Sequence, residues 1–326
     1  MVKMKILITG ITGRIGANLA AALVERGHQV RGLVWARDRR VEKLEGLAVE
    51  LLEGSLTEMG DVQQAVDSME VVYHLGAAFQ GGGPFSEEEY FEINVRGTFN
   101  MLEAARAQKI AQFIFASSDA LYEKYIPGGM TAPITEETPR RARGAYALTK
   151  ALGEEMCSGY WLGHALPTTV LRFAMVMGGD EVLSFPQFYL SRMKDGHPEL
   201  AALWQGEERL VILKDRQGRY FKKHIADVRD IVHGCLSALG KEKAFGETFQ
   251  LGGPAAFTWD EAVYRLSEIL RIPHVEAEVA GTPTYYEFDL DKARRLLSFH
   301  PTYDIVRMIV DALSLQRGED IGVLPT

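Results

Sequence analysis

The 326-residue chain carries 36 Lys and Arg residues against 44 Asp and Glu residues, and its formal net charge of −8 argues against a general nucleic-acid or anionic-membrane surface. With 47% hydrophobic and 25% charged residues it has the composition of a globular protein with a large core, and neither a membrane span nor a signal peptide is expected. Cys157 and Cys235 are the only cysteines, too few for a disulfide framework or a zinc site, which favours a reducing cytoplasm and no metal.

Short apolar runs alternate with helical patterns through the first half of the chain. This alternation predicts an α/β protein whose doubly wound parallel sheet is covered by helices on both faces. In such a sheet the ligand crevice lies along the carboxyl ends of the strands. Strands are predicted at Lys5–Thr9, Gln29–Val34, Ala48–Leu52, Val71–His74, Gln112–Ala116 and Thr168–Phe173, and helices at Asp61–Ser68, Glu88–Gln108 and Tyr146–Leu162.

Three glycines follow the first predicted strand with the spacing G-x-x-G-x-x-G: Gly10, Gly13 and Gly16. A strand, a glycine-rich turn and a helix form a cradle for a pyrophosphate, because the backbone can approach the ligand and the helix N-terminus offers unpaired N–H groups. The spacing differs from the more common G-x-G-x-x-G, and glycines also occur in other tight βα turns. The turn therefore indicates a dinucleotide site only together with further motifs.

The fifth predicted strand is followed directly by Ser117, Ser118 and Asp119. At the carboxyl edge of the sheet a serine hydroxyl can donate a hydrogen bond to a substrate oxygen. The same residue types are also common turn formers and helix caps, so this motif too needs others beside it.

Tyr146 and Lys150 are four residues apart in a predicted helix, which places the phenol and the ammonium on one face. A nearby cation favours the phenolate. The pattern therefore predicts a Tyr146 pKa below the usual value of about 10, and a tyrosine that acts as a general acid and base. Tyrosine and lysine also occur at this spacing by chance.

After Phe173 the alternation loosens, and the segment Phe221–Leu239 returns to a strand followed by a helix. We expect a dinucleotide-binding domain made of residues 1–173 and 217–252. A smaller substrate-binding lobe is expected from residues 174–216 and 253–326.

In this order the motifs resemble the extended short-chain dehydrogenase/reductase family, also called the NAD-dependent epimerase/dehydratase family. The resemblance covers nearly the whole chain. It implies a Rossmann-type domain with a smaller C-terminal substrate lobe, bound NAD or NADP, and a small-molecule substrate rather than nucleic acid or a membrane. Beyond the motifs above it rests on His74–Ala78, Asn94–Thr98, Leu171–Phe173, His224–Val228 and Gly246–Gly252.

The resemblance also assigns roles to single residues. Tyr146 would be the catalytic acid and base, Lys150 would lower its pKa and bind the nicotinamide ribose, and Ser118 would polarise the reacting oxygen. The substrate would contact Asp119 and Met175. The cofactor would be bound by Gly10, Gly13, Arg14, Ile15, Gly16, Trp35, Arg37, Ser55, Leu56, Leu75, Gly76, Ala77, Lys150 and Phe173.

Two positions at the adenosine end depart from the family pattern. NAD-preferring relatives carry a carboxylate at the end of the second strand, which is missing here, and Ser55 replaces an adenine-contacting Asp. Guanidinium groups can grip a 2′-phosphate at two points, which indicates a slight preference for NADP over NAD, although a solvated surface loop fits the same pattern. The residues concerned are Val34 and Trp35 at the strand end, then Arg37, Arg39 and Arg40, with Arg14 in the glycine turn.

Further departures concern the substrate. Ala120 replaces a Glu that dehydratases of the family use, and Met175 stands where nucleotide-sugar epimerases carry Asn. Both changes favour a smaller sugar, sugar acid or polyol-like molecule. Lys222 and Lys223 fit a solvated pair or a site for a carboxylate or phosphate, and His224 fits a structural histidine.

We therefore expect an NAD(P)-dependent oxidoreductase that transfers hydride at a secondary alcohol or ketone. A sugar epimerase with tightly held NAD and a non-catalytic cofactor-sensing regulator remain the alternatives. In the family, helices equivalent to Glu88–Gln108 and Tyr146–Leu162 pair across a two-fold axis, so the resemblance implies a homodimer.

Overall fold

Parallel strands form the central sheet of this computed structural model, which describes residues 3–79 and 83–324. The strands of the whole described chain, seven of which form this sheet and six of which form two-stranded pairs, are in chain order β1 (Lys5–Thr9), β2 (Gln29–Val34), β3 (Val49–Glu53), β4 (Val71–His74), β5 (Gln112–Ser118), β6 (Thr168–Phe173), β7 (Met175–Met177), β8 (Leu210–Lys214), β9 (Lys222–Lys223), β10 (Ile225–Asp227), β11 (Glu247–Leu251), β12 (Phe257–Thr258) and β13 (His274–Glu278). The central sheet has the order β11-β6-β5-β4-β1-β2-β3. The chain order reverses between β1 and β4, which opens a crevice at their carboxyl ends.

Helices cover both faces of this sheet, which confirms the predicted doubly wound α/β fold. Among the described residues, no helix is long and apolar enough to cross a bilayer. The helices are α1 (Arg14–Glu25), α2 (Met59–Val66), α3 (Glu87–Tyr90), α4 (Gly97–Ala107), α5 (Gly144–His164), α6 (Leu190–Met193), α7 (Pro198–Ala201), α8 (Val228–Ala238), α9 (Trp259–Leu270), α10 (Asp291–Leu297) and α11 (Ile305–Gln316).

The apolar strands are buried on both sides because successive side chains enter opposite cores. In β1, Ile6 and Ile8 pack in the core that also contains α1 and α8, whereas Leu7 packs in the core that contains α2, α4 and α5. In β5, Ile114 and Phe115 divide between the two cores in the same way. This explains why the strands are continuous apolar runs rather than alternating ones.

The predicted helix Glu88–Gln108 is interrupted in the structure. Between α3 and α4 the segment Phe91–Arg96 forms a π-helical turn. The wider turn presents Asn94, whose amide oxygen accepts a hydrogen bond from the backbone N–H of Ala78 (2.7 Å) and whose nitrogen donates to the Thr149 hydroxyl (2.9 Å). These partners are remote in sequence, so local periodicity could not reveal the interruption.

A separate hydrophobic core lies in the second half of the chain. The parallel pair β8 and β13 packs there with α9 and α11 around the buried indole of Trp259. Residues 286–299 pack instead in the core of the central sheet, although they lie within the expected second lobe. The division into two domains stays a prediction.

A buried ion pair ties β5, α5 and β6 together below the carboxyl edge of the sheet. The guanidinium of Arg172 donates two hydrogen bonds to the Glu154 carboxylate, at 2.8 and 2.7 Å. The same carboxylate accepts hydrogen bonds from the Ser117 hydroxyl (2.6 Å) and from Arg140 (3.0 Å). Because Glu154 is buried, its charge is stable only while these donors are in place.

We expect Glu154→Gln to lower the free energy of unfolding by about 3–5 kcal/mol, because it leaves the Arg172 charge buried without a carboxylate. Urea unfolding followed by circular dichroism measures the change. Glu155→Gln is the matched control, since Glu155 is an exposed carboxylate paired with the same Arg140, and its loss should cost about 1 kcal/mol or less. Equal effects of the two substitutions would contradict this account.

Candidate active site

The glycine turn lies at the carboxyl end of β1, where the order of the sheet reverses. Gly10 has a φ of +70°, and a Cβ on it would lie 2.8 Å from the Cα of Gly76. A Cβ on Gly16 would lie 2.2 Å from the carbonyl oxygen of Gly10, so Gly10 allows the turn to approach the end of β4 and Gly16 allows α1 to approach the turn. Helix α1 starts without a capping side chain and without an acidic residue in its first turn, which leaves its N-terminus suited to a phosphate.

An open cleft extends from this turn along the ends of β1, β2 and β4. Its wall is largely apolar and is completed by backbone, as an adenosine diphosphate requires. Trp35 forms part of it, half exposed at the end of β2. The predicted cofactor residues that line the cleft are Gly10, Gly13, Trp35, Leu56, Leu75, Gly76 and Ala77, and further lining residues are Thr9, Thr12, Leu33, Val34, Arg40, Gly54, Ala78, Phe79, Phe85 and Ile93.

Arg40 is the arginine of the 37–40 segment that lines the cleft, whereas Arg37 is exposed outside it, in the left-handed region. The Arg40 guanidinium donates to both carboxylate oxygens of Asp38, each at 2.8 Å, and the Thr12 hydroxyl also donates to Asp38 (2.8 Å). Hydrogen bonds from Arg40 and Thr12 hold the pKa of Asp38 low, at about 2. The carboxylate of Asp38, which lies four residues beyond the end of β2, therefore orients Arg40.

Other predicted cofactor residues lie outside the lining of the cleft. Arg14 donates to the carbonyl oxygen of Val176 (2.8 Å) and pairs with Glu181. The Ser55 hydroxyl is hydrogen-bonded to the Thr57 hydroxyl (2.8 Å). The remaining ones are Ile15, packed on the core that contains α1 and α8, Gly16, at the contact between α1 and the turn, Phe173, buried at the end of β6, and Lys150, described below.

Helix α5 lies unusually close to β5, and this contact positions the predicted catalytic residues. A Cβ on Gly153 would lie 2.3 Å from the ring of Phe115, so a larger residue would push the helix away from the strand. One residue further along the strand, the carbonyl oxygen of Ala116 accepts a hydrogen bond from the ammonium of Lys150 (2.8 Å).

Ser118, Tyr146 and Lys150 meet at the carboxyl end of β5. The Lys150 nitrogen lies 6.0 Å from the centroid of the Tyr146 ring. The Ser118 hydroxyl is near enough to the phenol to lower its pKa by hydrogen bonding, and it also accepts a hydrogen bond from the Ala120 N–H (3.1 Å). The structure therefore brings together the three side chains that the sequence motifs single out.

The expectation that the pKa of Tyr146 lies below its usual value is wrong for the protein without a bound cofactor. Burial raises the pKa of Tyr146 to about 12, and the hydrogen bond from Ser118 does not offset this. Burial also lowers the pKa of Lys150 to about 8. The ammonium donates to a strand carbonyl rather than to the phenol, so desolvation outweighs the attraction on which the expectation rested.

Asp119 and two lysines form a charged group beside the predicted catalytic residues. The Asp119 carboxylate pairs with the buried ammonium of Lys124. Lys223 is also buried and donates a hydrogen bond to the Gln187 side chain (3.2 Å), so the expectation of a solvated lysine pair is wrong for this residue. The alternation of side chains along a strand was the available signal, because it directs Lys222 and Lys223 to opposite faces.

Met175, expected to contact the substrate, and His224, expected to be structural, lie nearby in the sequence motifs. Met175 is 39% exposed at the start of β7. His224 is buried, with its Nε2 bonded to the Gly253 carbonyl oxygen (2.9 Å) and its Nδ1 accepting from the Phe288 N–H (3.0 Å). Burial lowers the His224 pKa, which keeps the ring neutral and structural. No cluster of metal-ligating side chains was found within 3–79 and 83–324.

Comparison with protein families gives one clear match. The model described as "NAD dependent epimerase/dehydratase family" matches residues 6–252. The chain is 30% identical, over 92% of its length and 93% of the relative, to a UDP-N-acetyl-alpha-D-glucosaminuronate decarboxylase of Bacillus cytotoxicus. It is 26% identical, over 94% of each chain, to a UDP-glucose 4-epimerase of Corynebacterium glutamicum.

Solved structures show the same fold. A short-chain dehydrogenase/reductase superfamily protein from Agrobacterium tumefaciens, determined with bound NAD, is 30% identical with a TM-score of 0.85 and covers 96% of this chain and 97% of its own. The UDP-glucuronic acid 4-epimerase from Bacillus cereus, also with NAD, is 21% identical with a TM-score of 0.74 over 97% of this chain and all of its own. The second likeness concerns the fold alone.

The burial of Lys150 predicts a pH-dependent stability. Because its pKa is about 8 in the folded chain and 10.5 ordinarily, the unfolded chain binds more protons between these values, and stability should rise with pH across this window by about 3 kcal/mol. Urea unfolding of the parent and of Lys150→Met at pH 7 and pH 10 measures this as a growing difference in favour of the parent. The exposed Lys243→Met serves as the control, and a difference that does not change with pH would refute the assignment.

Proposed function

The chain belongs to the NAD-dependent epimerase/dehydratase family, and we propose from this premise that it is a dehydrogenase or reductase acting on a secondary alcohol or ketone. Its substrate is a small polar molecule: a sugar, a sugar acid or a polyol-like compound. The observation that carries the proposal is the meeting of Ser118, Tyr146 and Lys150 beside a cleft built for a dinucleotide.

The residues of the cleft fit the cofactor. The uncapped N-terminus of α1 suits a pyrophosphate, and the apolar wall around Leu56 and Trp35 suits an adenosine. A bound nicotinamide ring supplies the acceptor or donor of hydride. Everything else in the reaction is proton transfer and orientation, which the side chains of this protein provide.

Tyr146 is protonated at neutral pH, since burial raises its pKa to about 12. It therefore acts in reduction as the acid that gives a proton to the carbonyl oxygen of the substrate. In oxidation it must first lose that proton, and it then accepts the proton of the substrate hydroxyl. Ser118 donates a hydrogen bond to the same oxygen, and the Lys150 ammonium stabilises the phenolate.

A sugar epimerase is the second candidate, and the UDP-sugar epimerases among the relatives favour it. The same catalytic residues serve both reactions, because an epimerase returns the hydride to the other face of the retained ketone. Cofactor that copurifies and survives dialysis favours the epimerase. Turnover that consumes added cofactor favours the dehydrogenase. A regulator that only senses cofactor is less well supported, since Ser118, Tyr146 and Lys150 are all present.

A homodimer is part of the proposal. The turn before α4, α4 itself and α5 expose apolar side chains next to one another: Phe91, Phe99, Leu148 and Leu152. Exposed apolar side chains concentrated on adjoining helices are typical of an interface. Sedimentation velocity of the intact chain tests the assembly.

The buried, free cysteines fit the cytoplasm as the proposed location.

We expect Tyr146→Phe to reduce turnover about 10²- to 10⁴-fold while leaving dinucleotide binding intact, because only the transferable proton is removed. Spectrophotometric assay of the reduced nicotinamide, with a panel of sugars, sugar acids and polyols, measures the loss. Tyr90→Phe is the matched control, because the ring of Tyr90 lies 6.4 Å from that of Tyr146 and the substitution removes only a hydroxyl. Undiminished turnover in Tyr146→Phe would refute catalysis at this site.

We attribute the proposed slight preference for NADP to Arg40 alone among the arginines considered. Since Asp38 orients this guanidinium at the wall of the cleft, a 2′-phosphate can bind beside it. Arg40→Gln should weaken NADP binding about tenfold and leave NAD binding unchanged. Quenching of tryptophan fluorescence on titration with each cofactor measures both. The neighbouring Arg39, exposed outside the cleft lining, provides the control Arg39→Gln, and a strong NAD preference in the parent chain would remove the idea.

A further inference from the structure

Two lysines beside the catalytic residues are buried with an excess of positive charge. Lys124 and Lys223 are 6% and 4% exposed. Lys124 pairs with the Asp119 carboxylate and donates to the Asp119 carbonyl oxygen (3.1 Å). Lys223 has no carboxylate within ion-pair distance among the described residues. Its hydrogen-bond acceptor there is the neutral amide oxygen of Gln187.

Each ammonium group lies against at least one aromatic ring. The Lys223 nitrogen lies 4.8 Å from the ring centroid of Phe185, and the Lys124 nitrogen lies 5.1 Å from that of Tyr286. Ring faces attract cations but do not neutralise them. Burial of an ammonium group is costly without a counter-charge, so an enclosure that holds two lysines and one carboxylate is suited to receive one more negative charge.

The enclosure formed by Asp119, Lys124 and Lys223 lies close to Ser118. Asp119 follows that serine directly, and its charge raises the pKa of both Tyr146 and Lys223, so one carboxylate lies within electrostatic range of both sites. On the other side, β10 follows Lys223 and pairs in parallel with β7, which directly follows β6. The lysines therefore lie towards the carboxyl edge of the sheet, on the far side of Asp119 from the phenol of Tyr146.

We propose, building on the proposed function, that Lys223, with Lys124 and Gln187, binds a carboxylate group of the substrate, which makes the substrate a hydroxy acid or keto acid of the sugar-acid type. The charge decides between anions. Asp119, Lys124 and Lys223 together carry one net positive charge, which a carboxylate neutralises. A phosphate dianion would leave a net negative charge in the same aromatic surroundings.

Binding to matched ligand pairs tests the assignment without requiring turnover. Calorimetry on the NAD-saturated protein compares gluconate with glucitol, and glucuronate with glucose, with glucose 6-phosphate as the phosphate probe. We expect at least one acid to bind about tenfold or more tightly than its neutral partner. Lys223→Met and Lys223→Gln should abolish this preference without changing the affinity for the neutral partner. Lys222→Met should retain it, because Lys222 pairs with Glu287 on the other face of the strand.

Thermal unfolding of each variant with NAD verifies that the protein is folded. The proposal is overturned if neither acid binds, if acid and neutral partner bind equally, or if Lys223→Met keeps the preference. Tighter binding of glucose 6-phosphate that depends on Lys223 would overturn the carboxylate in favour of a phosphate. Failure of the proposed function looks different: an acid binds through Lys223, yet no ligand gives cofactor turnover that depends on Tyr146.

Discussion

The contact between α5 and β5 is the constraint on which the site depends. Gly153 allows the helix to approach the ring of Phe115, and Glu154, the next residue, binds Arg172 of β6 and Ser117 of β5. One helical turn earlier, Lys150 is held against the carbonyl of Ala116. The hydroxyl of the strand end and the phenol of the helix can therefore meet only while this contact is intact.

Desolvation dominates the electrostatics of the site. It raises the pKa of Tyr146 and lowers those of Lys150 and Lys223, and in each case nearby charges modify the result without reversing it. A site of this kind holds its acid protonated and its cations poorly compensated. It is prepared for ligands that bring negative charge or accept a proton.

The glycine turn is connected to the second hydrophobic core through Arg14. This residue follows the turn as the first residue of α1, and its guanidinium binds the Val176 carbonyl and the Glu181 carboxylate. Glu181 in turn accepts a hydrogen bond from the backbone N–H of Gly178 (2.7 Å). The start of α1 and the segment from Val176 to Glu181 are thus joined by one ion pair, and the Arg14 side chain is committed to this contact.

Local patterns in the sequence determined six strands of the central sheet, the glycine turn and the shared helix face of Tyr146 and Lys150, because apolar periodicity, backbone freedom and helical spacing are properties of neighbouring residues. Three features were decided only by the tertiary structure: the π-helical turn that presents Asn94, the burial that sets the Tyr146 pKa, and the enclosure of Lys124 with Lys223. Each depends on groups far apart in the chain. Desolvation and long-range pairing exist only once the folded chain excludes water. Local patterns could at most place Lys222 and Lys223 on opposite faces of a strand, without showing which face is buried.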